Sequence, residues 1–240
     1  MRIKFSDRWL KIVLGGLVFI TILIAFAYIR VWDKTELEFR FQINQELIQV
    51  SMYGEPPTFA IWLENGKGDL DNVYITHRAF AGDWEGKPQV PVALPYWFYL
   101  NESGKLSKEN SSSGFLDIDA VSGATPRDEF FVIRVRVPPD STYMCWIEMN
   151  LSGDYNEFYK ETDPVNMTSD EFGNGQPALV YFGKIETLIG QILEPEIFGM
   201  SILPDTTENI IRSLVGITTA DDVFSSIEVE VVRPKPYIIK

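Results

Sequence analysis

The stretch "ELEFRFQI", residues 36 to 43, decides the fold. Leu37, Phe39, Phe41 and Ile43 alternate with Glu38, Arg40 and Gln42, so an extended strand puts the apolar side chains on one face and the polar ones on the other. Wound into a helix, the same residues would scatter around the circumference and bury nothing coherently. "NQE" then turns the chain into residues 47 to 52, which predicts a hairpin partner. "TFAIWLE" (58–64) reads as a third strand, and Asn65-Gly66 is a strong turn signal before "DNVYITH" (71–77). Phe131, Ile133, Val135 and Val137 alternate with Val132, Arg134 and Arg136 as far as a turn at Pro138-Pro139-Asp140. Tyr143, Cys145, Ile147, Met149 and Leu151 share one face of the next strand, which makes Cys145 a core residue. "PALVYFGKI" (177–185) and "SSIEVEVVRP" (225–234) bring the count to about eight.

Many short strands separated by turns, without long helices between them, predict a mainly β chain: an immunoglobulin-like antiparallel β-sandwich over residues 36–240. One helical insert is expected in "PDTTENIIRSLVG" (204–216). Asp205 or Thr206 caps it, Ile210, Ile211, Leu214 and Val215 form its apolar side, and Gly216 stops it. "TTADDVFSS" (218–226) reads as one further turn.

Ahead of the strands, Arg2, Lys4, Arg8 and Lys11 form a basic flank over residues 1–11, followed by an uncharged apolar run from Ile12 to Ile29. Eighteen residues at a rise of about 1.5 Å reach about 27 Å, near the hydrocarbon thickness of a bilayer. Trp9 at one end and Tyr28 and Trp32 at the other sit where aromatic rings favour the interface. Residues 12–32 are therefore expected to be a single-pass signal-anchor helix of the plasma (inner) membrane. The basic flank stays cytoplasmic, and the β domain is periplasmic or otherwise extracytoplasmic. Cleavage after Ala25-Phe26-Ala27 is the alternative; the apolar run is long for a signal core and continues past Ala27, which favours the anchor.

Composition narrows the chemistry. A formal net charge of −13 disfavours a nucleic-acid partner, whose affinity would rest on clustered cations. The single cysteine allows neither an internal disulfide nor a thiolate zinc site, and the single histidine, His77, excludes a two-His metal site. A Ser-His-Asp triad would need His77, which ends a strand-like run and reads as a solvated strand-end residue. A stand-alone enzyme is thus not the expectation. Four N-x-S/T sequons, at Asn101, Asn110, Asn150 and Asn166, read as coincidences of polar loops.

Two long stretches, 79–114 and 152–177, lack a regular period. They carry Trp84, Tyr96, Trp97, Phe98, Tyr155, Phe158 and Tyr159, which either close the ends of the sandwich or offer stacking surfaces to a ligand or partner.

The ordered set "PPTFAIWLENGKG" (56–68), "ALPYW" (93–97), "DAVSGATP" (119–126) and "GQPALVY" (175–181) resembles an uncharacterised family of predicted periplasmic proteins, a β-rich domain of unknown function. A narrower resemblance is chemically sharper. Asp119-Ala120-Val121-Ser122-Gly123-Ala124-Thr125 is similar to the D-x-x-[S/T]-G-A-[T/S] segment at which a periplasmic flavin transferase attaches FMN through a phosphoester. Such segments occur in subunits of the sodium-pumping NADH:quinone reductase and Rnf complexes. The resemblance covers seven residues and implies Thr125 as the acceptor, with Asp119, Ser122, Gly123 and Ala124 shaping the segment.

The residue types suit that role. Gly123 permits close approach, Ala124 adds little bulk, and Asp119 and Ser122 can fix the backbone through side-chain hydrogen bonds. The flavin phosphate would need Arg127 or backbone N–H groups, and Tyr96, Trp97 or Trp84 could stack on the ring. On this reading the chain is a covalent FMN carrier, an electron-transfer flavoprotein passing electrons between a membrane partner and an extracytoplasmic acceptor. The rival reading is a non-enzymatic binding or assembly module that contacts a protein or sugar, with the segment a purely structural turn.

Overall fold

The computed structural model describes residues 7–29, 31–76, 83–84, 87–88, 93–103, 106, 121–123, 128–202 and 210–235. Helix α1 (Asp7–Ile29) comes first, and within it Lys11–Ile29 is long and apolar enough to cross a membrane. The side chains of Lys11–Ile29 are almost all exposed, which fits a single-pass anchor. Strand β1 (Thr35–Ile43) follows after a short turn and carries the expected alternation: Leu37, Phe39, Phe41 and Ile43 are all essentially inaccessible.

The remaining elements are helix α2 (Gln45–Val50), β2 (Thr58–Asn65), β3 (Leu70–Thr76), the two-residue strands β4 (Asp83–Trp84) and β5 (Lys87–Pro88), helix α3 (Pro95–Glu102), β6 (Val121–Gly123), β7 (Phe130–Val137) and β8 (Thr142–Asn150). There follow β9 (Thr162–Asp163), β10 (Thr168–Ser169), β11 (Ala178–Glu186), β12 (Ile192–Leu193), β13 (Glu196–Ser201), β14 (Ile210–Ile211), a 3₁₀ turn at Ala220–Asp222 and β15 (Phe224–Val232). They form a four-stranded sheet in the order β12-β15-β1-β7 and a seven-stranded sheet in the order β14-β13-β11-β8-β2-β3-β6. Every ladder within these two sheets is antiparallel except β3 with β6.

Strand β1 pairs with β7 in one sheet while β2 pairs with β8 in the other. These interleaved pairings are the ones strands B with E and C with F make in an immunoglobulin sandwich. The expected architecture is present, with β15 lying beside β1 on the other side.

The core lies between the sheets. Phe59 of β2 and Phe41 of β1 approach to 5.6 Å between ring centroids, and Phe131, Phe224 and Tyr74 surround them. Cys145 is fully buried, and that burial pushes its thiol pKa up, away from thiolate chemistry. On the outer face of the smaller sheet, Arg40 bridges Glu228 at 2.6 Å and Glu230 at 2.5 Å, and Arg134 meets Glu38 at 2.5 Å. These rows keep that face polar; the more exposed Arg40–Glu228 pair contributes only about 0–1 kcal/mol.

Three expectations need correcting. Residues 47 to 52 are not a hairpin strand. Asn44 accepts the Leu47 N–H at 3.2 Å as an N-cap, α2 forms, and its Leu47 and Ile48 seal the end of the core. The helix expected over 204–216 is absent from its described part: Ile210 and Ile211 pair with Ser201 and Met200 as β14, because two β-branched residues beside a free strand edge gain more from a ladder than from a short helix. Asp205 and Thr206 lie outside the described residues. The stretch 79–114, read as irregular, contains α3, with Pro95 in its first turn. The further turn expected near 218–226 is present at Ala220–Asp222.

Candidate functional site

The register sorts the connections into two ends. Thr35, the 138–141 turn, the Asn65–Asp69 turn and residues 187–191 lie at the end where α1 joins the sandwich. The opposite, distal end collects α2, the 151–176 connection, and the points where β3 and β6 stop and β7 begins.

Of the segment 119–125, the described residues 121–123 run towards the distal end. Val121, Ser122 and Gly123 form β6, the edge of the larger sheet, opposite Tyr74, Ile75 and Thr76. These three residues, read as part of a loop, are a strand instead, because β3 has a free edge for them to pair with. Asp119, Ala124, Thr125 and Arg127 lie outside the described residues, as does His77. The structure therefore places Ser122 and Gly123 together and does not describe their three expected companions. Beyond the segment, the Glu129 carbonyl accepts the Ile43 N–H at 2.8 Å and its carboxylate accepts from the Gln42 amide at 3.1 Å. The chain thus leaves one sheet at Gly123 and enters the other at Phe130.

The aromatics of 79–114 are sorted by α3, which lies on the outer face of the larger sheet. Trp97 is buried, with its indole N–H 3.4 Å from the Asn72 side-chain oxygen, so it cannot stack on a ligand. Tyr96 leans on Trp62 and Trp146. Trp84 stands in the β4–β5 ribbon. Next to α3 an aromatic row crosses four strands: Trp62 is parallel to Trp146, which meets Phe182 at 4.5 Å and Phe198 at 5.2 Å, and the Arg212 guanidinium lies 3.2 Å from the Phe198 ring centroid. Trp146, Phe182 and Phe198 are half-buried, and their rings meet at interplanar angles of 52–76°, so they form a ridged apolar surface.

Beneath α3 lies Glu148, fully buried, a residue the sequence reading missed. Its carboxylate accepts the Tyr96 N–H at 3.0 Å and the Trp97 N–H at 2.6 Å, capping the helix N-terminus from across the sheet, and it also accepts from the Ser201 hydroxyl. Burial pushes its carboxyl up to about 7, against the pull of those three donors. The alternation of β8 assigns Glu148 to the outer face, which read as solvent; the one available signal was a lone acid beside outward-facing Trp146 in "CWIEM".

A carboxyl held above its ordinary 4.5 in the fold binds its proton more tightly folded than unfolded. That contribution to stability is complete below about 4.5 and is lost as pH rises towards 7. At about 1.4 kcal/mol per pKa unit the loss is on the order of 3 kcal/mol. Urea midpoints of the wild type and Glu148→Gln, compared between pH 5 and 8, should show this slope in their difference; parallel profiles would mean that Glu148 does not titrate as its burial requires.

At the distal end, Asp154 accepts from Gln176 at 2.7 Å and Thr219 at 2.7 Å, tying the 151–176 connection to the approach to β15. Burial raises the Asp154 pKa. A shallow cleft of about 360 Å³ opens nearby between Phe158, Lys160, Asp163 and Asp170. Among the described residues no group of three or more His, Cys, Asp or Glu side chains could hold a metal ion.

No protein-family model, curated protein or solved structure matches this chain. Its chemistry has to be argued from the residues themselves.

Proposed function

We propose that the chain is a membrane-anchored extracytoplasmic carrier domain that holds FMN through a phosphoester on Thr125. The observation that carries this reading is the sequence of the segment Asp119–Thr125, whose described part is an edge strand with one neighbour among the described residues. An edge leaves one side open to a modifying enzyme, whereas a central strand would be closed on both. The distal end, away from α1, is also where a soluble acceptor outside the membrane would meet the flavin.

The described residues allow a limited fit. Thr76 lies opposite Gly123, and Asp128 and Glu129 follow the segment in sequence, so the single negative charge of the phosphodiester falls to Arg127 and to backbone N–H groups. FMN supplies the redox chemistry when attached. The chain's part is to display the Thr125 hydroxyl and to hold the product against loss to the medium. Orientation follows from the basic flank of α1, which keeps the N-terminus cytoplasmic and the sandwich outside.

A second reading is favoured by the aromatic row. Trp146, Phe182 and Phe198 with Arg212 form a half-buried surface of tilted aromatic rings that would pack against a sugar or a protein, and the module would then act by binding alone. Co-expression with a flavin transferase followed by a denaturing gel separates the two. The carrier shows in-gel flavin fluorescence that Thr125→Ala removes; the binding module shows none in either form.

A further inference from the structure

The turn Thr187–Gln191 links β11 of one sheet to β12 of the other at the end where α1 enters, and it is built rigidly around an apolar tip. Thr187 is buried: its hydroxyl accepts the Ser141 N–H at 2.8 Å and lies 3.1 Å from the Pro138 carbonyl, and its own N–H donates to the Ser141 carbonyl at 2.8 Å. The Gln191 N–H closes onto the Leu188 carbonyl at 3.0 Å, with Gly190 at φ +87°, the left-handed conformation a type II turn needs at its third position. Gly190 and Gln191 are both tied to Val231 of β15. Turn tips are ordinarily polar. This one presents Leu188 at 51% and Ile189 at 53% exposure, followed by Ile192 at 55%. The seven residues 187–193 carry no charge.

Register fixes where the tip points. Ile192 stands opposite Glu230, which stands opposite Glu38, and β12 runs away from the α1 end. Residues 188–190 therefore reach back to the level of Thr35, where β1 begins. Thr35 follows Ile29, the last residue of α1, by six positions. Residues 31–34 turn: the Val31 N–H bonds to the Tyr28 carbonyl and the Lys34 N–H to the Val31 carbonyl. Ala27 and Val31 at this junction are buried, whereas Trp32 beside them is 87% exposed.

We propose that Leu188 and Ile189, with Trp32, insert into the interface of the bilayer that α1 enters, giving the sandwich a second attachment and a fixed tilt. This inference rests on α1 being a membrane anchor. Asp33 and Asp140 share this end with Lys34 and Arg233, so the contact is made by apolar insertion and needs no anionic lipid. Anchoring at two points holds the distal end, with β6, away from the membrane surface.

The test uses the full chain in phosphatidylcholine vesicles, with an environment-sensitive fluorophore on a single introduced cysteine; buried Cys145 stays unlabelled in the folded protein, as the wild type controls. The probe sites are Leu188→Cys on the turn, Gly16→Cys within α1, and Met167→Cys, which is 92% exposed at the distal end. Lipids carrying a shallow nitroxide are expected to quench the probes at 188 and 16 severalfold more than the probe at 167. If 16 is quenched while 188 behaves like 167, the anchor stands and the second attachment is wrong. If 16 is not quenched, the anchor itself is wrong and this inference falls with it.

Discussion

Replacing Glu148 with alanine is expected to release α3 from the larger sheet and to cost about 3 kcal/mol or more. The Tyr96 and Trp97 N–H groups and the Ser201 hydroxyl all lose their acceptor, in a place that water does not reach. Each buried donor left alone costs about 1–3 kcal/mol. A buried carboxylate is itself unfavourable, but removing it alone leaves its partners stranded, which is worse than replacing the whole set by apolar groups. The helix can lessen the cost only by lifting off, and that exposes Leu94, Trp97, Leu100 and Trp62. The measurement is tryptophan emission with a urea titration: the variant should emit at longer wavelength before global unfolding and unfold at lower urea. Glu148→Gln keeps one acceptor oxygen and should fall between. Unchanged emission and midpoint for the alanine variant would show that α3 is held by its apolar face alone.

The second large effect is at Phe59. Its ring is inaccessible and lies within 5.1–5.7 Å, centroid to centroid, of Phe41, Tyr74, Phe131 and Phe224, so it joins both sheets at one point. Phe59→Ala leaves a cavity that neighbours on two separate sheets cannot collapse into, and the expected loss is about 3–5 kcal/mol. Set against a typical total of about 5–15 kcal/mol, this brings the domain near its threshold. Phe59→Leu retains most of the volume and should cost visibly less. Equal denaturation midpoints for the two variants would contradict the packing described here.

The particular residues show why the sandwich was legible in the sequence and its attachments were not. Strands β1, β2, β7, β8, β11 and β15 each turn one face into the core between the sheets, which favours a period of two, although β2 is also buried on its outer face beneath α3. The Asn65-Gly66 and Pro138-Pro139-Asp140 turns carry their own chemistry: Gly68 and Asp140 take positive φ where the chain reverses. Helix α2 was missed because six residues are too few to establish a helical period, and its Asn44 cap looks the same as a turn residue. Strand β14 was missed because its partner, β13, decides it from outside. The same holds for Glu148, whose strand position is polar by rule and buried only because a distant segment docks on it. The candidate segment is a mixed case. The expectation for its chemistry rests on a local pattern, whereas the position of residues 121–123 at a sheet edge depends on a parallel partner about fifty residues earlier, which no local pattern announces.

The carrier account implies a division of labour within one small domain. Helix α1 and the apolar turn fix the near end at the membrane, the interleaved strands provide a stiff body, and the edge strand β6 presents the modifiable segment at the far end. The most direct measurement is the mass of the tryptic peptide that contains Thr125, from full-length chain co-expressed with a flavin transferase. The account predicts that peptide to carry one FMN, as a phosphoester located on Thr125 by fragmentation, and the corresponding peptide of Thr125→Ala to be unmodified while the variant's denaturation midpoint stays that of the wild type. An unmodified wild-type peptide, under conditions in which the transferase flavinylates another substrate, would contradict it.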